Sequence, residues 1–157
     1  MIILGIDPGF ERMGCAVLER NKGKEKLLFS SCIITNRKNT YEKRLLELAN
    51  SLKKIILKYK PDVISVEKIF FTSNQKTVMQ IAEVRGVIFY LAAQKKIPVK
   101  EITPLQIKYS LTGYGRAEKT QVEKMVKNIL NLKESPKYDD EFDAIAAAIA
   151  CPKELTL

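Results

Sequence analysis

The chain has 157 residues, 46% of them hydrophobic, and sets 27 Lys plus Arg against 18 Asp plus Glu for a formal net charge of +9. That length fits one domain, residues 1–157, with a sizeable core, and the charge favours a polyanionic partner, nucleic acid ahead of an anionic membrane surface. Histidine is absent, which excludes Ser-His-Asp and Cys-His nucleophiles, histidine-bearing zinc sites and histidine general bases; hydrolysis is left to carboxylates, lysines and a hard metal.

Three unevenly spaced cysteines, Cys15, Cys32 and Cys151, argue against a disulfide framework or a thiolate metal site and are expected as buried thiols. No apolar run is long enough to span a bilayer, and residues 1–6 lack the marks of a signal peptide, so no membrane association and a cytoplasmic location are expected.

The chain opens on an almost continuous apolar run, Met1-Ile2-Ile3-Leu4-Gly5-Ile6, that stops at Asp7-Pro8-Gly9. Such a run predicts a central strand buried on both faces, with Asp7 at its C-terminal tip. A carboxylate there is either a turn former or a group that meets a charged partner. Residues 14–19 and 26–35 predict two more strands, with a turn at 21–24, completing an antiparallel meander. From 40 to 59, Leu45, Leu48, Leu52, Ile55, Ile56 and Tyr59 recur at helical spacing with lysines opposite, and Pro61 ends the helix.

Residues 62–67 predict a short buried strand ending on Glu67. Reached through a helix, it should run parallel to its neighbour by a right-handed crossover. If that neighbour is the first strand, Asp7 and Glu67 are adjacent, at the sheet edge where open sheets bind ligands. A loop at 68–74 precedes a helix at 75–95 whose apolar residues spread over more than one face; burial within the monomer and a subunit contact both account for it. A strand at 98–102 leads to Thr103-Pro104-Leu105-Gln106, a helix start with cap, N1 proline and capping glutamine. The glycine loop 113–116 precedes a helix at 118–130, and the last helix covers 139–151.

That last helix begins Asp139-Asp140-Glu141-Phe142-Asp143. Acids in a first turn suit the macrodipole, but Asp143 lies next to the alanines that let the helix approach the sheet. Asp140 and Asp143, three apart, share a face with Cβ atoms about 5–6 Å from one another. Two acids on strand tips and two on this helix, converging, would repel unless cations neutralise them, and oxygen-only ligands select hard ions such as Mg²⁺.

The order of elements, with acids on the first strand, the fourth strand and the last helix, resembles the ribonuclease H-like fold: α/β, a mixed five-stranded sheet of three antiparallel strands then parallel strands, flanked by helices. Within it the chain resembles the RuvC-type Holliday junction resolvases. The resemblance is carried by Ile2-Ile3-Leu4-Gly5-Ile6-Asp7-Pro8-Gly9, Ser65-Val66-Glu67-Lys68-Ile69-Phe70, Val84-Arg85-Gly86-Val87, Gly115-Arg116-Ala117-Glu118-Lys119-Thr120-Gln121-Val122 and Asp140-Glu141-Phe142-Asp143-Ala144, in that order along the whole chain. It implies catalytic, metal-binding acids at Asp7, Glu67, Asp140 and Asp143, a base-stacking aromatic at Phe70, and strand-engaging lysines at Lys108 and Lys119. Arg116 is a further phosphate-contact candidate, and Arg85 is read as structural.

The implied function is a crossover junction endodeoxyribonuclease that makes paired symmetric nicks in four-way DNA during recombination and repair. Two Mg²⁺ ions per site, replaceable by Mn²⁺, and 5′-phosphate products are implied with it. So are a homodimer joined through the 75–95 helix and the branch-migration proteins RuvA and RuvB as partners. The rival readings are a nuclease of the same fold acting on RNA or flaps, a junction binder without catalysis, and a sugar-kinase-like ATP-handling protein.

Overall fold

An apolar strand without alternation needs cover on both faces, and β1 (Ile2–Asp7) receives it. In the computed structural model, which describes residues 1–68, 75–134 and 136–152, β1 is the middle of a five-stranded sheet. The other strands are β2 (Arg12–Asn21), β3 (Lys24–Ile34), β4 (Val63–Glu67) and β5 (Val99–Ile102), in spatial order β3-β2-β1-β4-β5. β1 to β3 pair antiparallel, whereas β4 lies parallel to β1, and β5 to β4. This is the mixed sheet expected from the sequence.

β2 and β3 run further than their apolar residues suggest. They pair down to a turn at Lys22 and Gly23, both with positive φ, the geometry that matches a two-residue hairpin to the twist of its strands. Backbone pairing carries the polar ends, Arg20 and Asn21 against Glu25 and Lys24, which hydropathy alone leaves outside the strands.

Side-chain alternation divides the core. Leu4, Ile6, Cys15, Val17, Ile64 and Val66 point to the face covered by α1 (Tyr41–Tyr59) and α2 (Gln75–Gln94), packing with residues such as Leu48, Leu52, Val84 and Ile88. Ile3, Ala16, Leu18 and Val63 point to the opposite face, under α5 (Asp139–Ile149), where α3 (Pro104–Thr112) and α4 (Lys119–Leu130) complete the core. Thr103 and Gln106 form the expected capping box, the Thr103 side chain accepting from the Gln106 N–H and Gln106 Oε1 from the Thr103 N–H. Cys15 and Cys151 are buried thiols as expected, while Cys32 is only partly buried. The predicted 68–74 loop lies outside the described residues from 69 onward.

α5 sits unusually close to the sheet. A Cβ at Gly5 would fall 2.1 Å from the Ala144 carbonyl oxygen, and one at Gly14 would fall 1.7 Å from that of Asp140. On β4 the buried Ser65 hydroxyl donates to the Ala147 carbonyl at 2.6 Å. At the other end of the helix the Arg20 guanidinium donates to the carbonyls of Ile149 and Cys151, both at 2.7 Å, satisfying the acceptors a helix C-terminus leaves free.

Because both glycines meet backbone atoms, which cannot rotate away, an added methyl must lift the helix. Gly5→Ala is expected to lower unfolding stability at the upper end of the range of about 1–3 kcal/mol typical for overpacking, read as a lower urea midpoint without a changed m-value.

Candidate functional site

The pleat that sends Ile3 and Gly5 toward α5 sends Asp7 to the same side, and on β4 the series Val63, Ser65, Glu67 does likewise. The parallel register pairs Ile6 with Val66, so Asp7 and Glu67 follow as neighbouring tips. Asp7 pairs in the antiparallel ladder with Gly14, the residue against which the Asp140 backbone rests. The first turn of α5 is thereby held over the tip of β1, and Asp143, one turn further along, precedes the Ala144 whose carbonyl covers Gly5.

The electrostatics record how near these groups are. Burial, followed by the charges of Glu67, Asp143 and Asp140, pushes the Asp7 carboxyl up to about 8, with Lys119 opposing. Burial and then Asp143 push Glu67 up to about 7. Asp143 is raised as well, chiefly by burial, against the opposing charge of Lys119. Asp7 is therefore within electrostatic reach of the other three acids, and Asp143 of Glu67 and Asp140.

The structure also separates the Asp139-Asp140 doublet. The Asp139 side chain is 81% exposed and bonds outward to Lys119 at 3.0 Å, whereas Asp140 is 21% exposed and turned toward the sheet. Lys119 also lies 3.9 Å from Asp143. Burial lowers the Lys119 pKa, but its bond to Asp139 and the charges of Asp143, Asp139 and Glu123 outweigh this and raise it. Lys108 and Lys119 line one cleft with Glu67 and Asp143, floored by Ile107 and Val122.

Arg116 lies exposed in the loop between α3 and α4 and does not line that cleft. Phe70 falls outside the described residues. Arg85 is structural, its guanidinium donating to the Glu67 carbonyl at 2.8 Å, pairing with Glu101 and lying over the Phe89 ring. The backbone under the Glu67 carboxylate is held in that way. Sequence reading missed Arg12, whose Nε is 3.2 Å from Asp140 Oδ2, and the Ser30 hydroxyl, which donates to Glu141 at 2.6 Å. The sequence predicts this strand only from residue 14, and the extension of β2 to Arg12 puts that side chain on the α5 face.

The donor set is all oxygen, Asp7 and Glu67 are held toward neutrality, and Asp140 Oδ2 is buried with no hydrogen bond from a described group. These features suit a hard divalent cation. Among the described residues, no three acids are yet drawn together tightly enough to cage one, and Lys119 and Arg12 stand among them.

The family model of crossover junction endodeoxyribonuclease RuvC matches residues 3–151. The chain is 48% identical over 149 residues to crossover junction endodeoxyribonuclease RuvC of Ruminiclostridium cellulolyticum, covering 95% of this chain and 90% of that one. With the protein of the same name from Caldicellulosiruptor saccharolyticus the identity is 46% over 150 residues, covering 95% and 90%. The structure of T. thermophilus RuvC in complex with Holliday junction substrate superposes with a TM-score of 0.91 at 28% identity, covering 96% of this chain and 92% of that one. Sequence and shape thus agree over nearly the full length, and the chain belongs to the RuvC family of crossover junction endodeoxyribonucleases.

Proposed function

We propose that this chain, acting as one domain in the cytoplasm, resolves four-way DNA junctions by paired, Mg²⁺-dependent nicks that leave 5′-phosphate and 3′-hydroxyl ends. The observation that carries the site assignment is the convergence of desolvated carboxylates from β1, β4 and α5 beside a cleft lined by Lys108 and Lys119. Asp7, Glu67, Asp140 and Asp143 would hold the cations. When bound, Mg²⁺, two ions per site with Mn²⁺ as a substitute, neutralises these acids and polarises the scissile phosphodiester.

The chain's own groups do the rest. In the metal-free cleft Asp7, raised to about 8, favours its protonated form near neutral pH and Glu67, raised to about 7, is divided between the two; both would give up protons as positive charge arrives. Lys108 and Lys119 hold the phosphate of the strand to be cut, Arg116 contacts a phosphate further along, and Phe70 stacks on an unpaired base, a contact worth about 1–3 kcal/mol. No covalent enzyme intermediate forms.

Two symmetric nicks require two sites related by a twofold axis, and a homodimer supplies them. α2 supports this reading. Met79 and Tyr90 are 65% and 62% exposed on it, and between them Gly86 carries nothing within 4 Å of where a Cβ would stand. A helix-interior glycine costs about 1 kcal/mol relative to alanine, and no contact with a described residue repays it; close approach of a second α2 would. The branch-migration proteins RuvA and RuvB are the further partners.

On a labelled four-way junction, Asp7→Asn is expected to bind like wild type and to lose paired nicking by at least about 10²-fold, more than loss of a group supporting a metal ligand costs; undiminished cutting removes the assignment. Asp7 and Glu67 hold protons to higher pH folded than unfolded, so folded stability is fully present below their ordinary values of 3.8 and 4.5 and is lost as pH rises through about 7 and about 8. Metal-free protein should accordingly melt lower at pH 8 than at pH 5, Asp7→Asn should flatten that slope, and added Mg²⁺ should restore the melting temperature at pH 8. Gly86→Leu is expected to shift sedimentation toward monomer at micromolar concentration while leaving the far-UV spectrum unchanged.

A further inference from the structure

Arg12 opens β2 two residues before Gly14 and projects from the same side of the sheet, toward the first turn of α5. Its Nε lies 3.2 Å from Asp140 Oδ2, and that oxygen is buried yet accepts no aligned hydrogen bond from any described group. The contact is one of charge rather than of directed bonding. The Arg12 side chain is also 50% exposed, so it can move out to solvent with little loss of packing.

Arg12 is not needed to hold the helix. α5 is seated by the Asp140 backbone on Gly14, by Ala144 and Ala148 on Gly5, by the Ser65 bond to Ala147 and by Arg20 at its far end. A clamp built for structure would present a two-pronged, buried guanidinium, as Arg20 does; Arg12 presents a single nitrogen from the solvent side. It also stands apart from the cleft that Lys108 and Lys119 line, approaching the acids from the β2 side, where Cys32 and Glu141 lie.

We propose that Arg12 is a built-in counter-ion for Asp140 that competes with divalent cations for this carboxylate and so sets the cation concentration at which the acid cluster fills. The inference rests on the reading of Asp140 as a metal ligand. A doubly charged ion at Asp140 would meet the guanidinium at close range, and repulsion between them must either weaken the ion's binding or expel the side chain. Arg12 is thus a positioning residue, acting through Asp140.

The test is calorimetric titration of Mg²⁺ alone, and separately of Mn²⁺ alone, into the full chain without DNA. Arg12→Gln is expected to bind Mg²⁺ about three- to tenfold more tightly than wild type, the scale on which one partly screened charge acts on a divalent ion. Arg12→Lys, which keeps the charge, should return toward wild-type affinity, and Arg12→Met, which removes it, should match the gain of the glutamine variant and takes its place should that variant fold poorly. In an Asp140→Asn background, Arg12→Gln should change nothing. Equal or weaker Mg²⁺ binding by Arg12→Gln, or a gain that persists with Asp140→Asn, overturns the proposal while leaving the metal site standing. Absence of Mg²⁺ binding by folded wild type removes the site reading, and this inference with it.

Discussion

The close seat of α5 on the sheet is the contact from which the rest of the structure follows. Where Gly14 and Gly5 meet the carbonyls of Asp140 and Ala144, helix and strands approach as nearly as backbone atoms allow. Any side chain at those two positions would open the gap, and with it the distance between the strand-borne and helix-borne acids. The run of alanines at 144, 146, 147 and 148 serves the same end from the helix side, all four being buried. Small residues here are chosen for distance rather than for the apolar area they bury.

That nearness has an electrostatic cost. Asp7 and Glu67 are desolvated at the ends of buried strands, and each is raised further by neighbouring acids, Asp143 on α5 among them. A fold selected for stability alone would put neutral or smaller groups at these tips. Retaining repelling carboxylates there is how a protein keeps a place ready for positive charge, stability being given up locally for binding. The cations of the chain are arranged around this deficit, Lys119 on the cleft side and Arg12 on the β2 side.

Much of this was legible in the residues. Uninterrupted apolar runs mark strands covered on both faces, and their abrupt ends at Asp7 and Glu67 mark the edge where a site forms. The spacing of Asp140 and Asp143 put both on one face, and the alanines predicted the close packing. What escaped depends on pairing across the chain. Arg12 and the polar ends of β2 and β3 carry no hydropathy signal, because their conformation is set by ladder bonds to a partner strand. Lys108 and Lys119 are named through the family resemblance alone, since spacing and hydropathy leave them as surface lysines; the fold brings them beside Glu67. The apolar residues of α2 spread over more than one face, and while Val84, Ile88, Leu91 and Ala92 are buried within the monomer, Met79 and Tyr90 stay exposed on its outer side.

β2 also acts as a gauge for the helix above it. Arg12, Gly14, Ala16, Leu18 and Arg20 occupy alternate positions, and the two ends of this series touch the two ends of α5. Since a strand inverts its faces with every single-residue slip, one deletion inside this stretch would turn the residues on one side of it away from α5, so that the two ends of the series could no longer meet the helix at once. Drift in length should therefore be tolerated at the Lys22-Gly23 hairpin and barred from the ten residues before it.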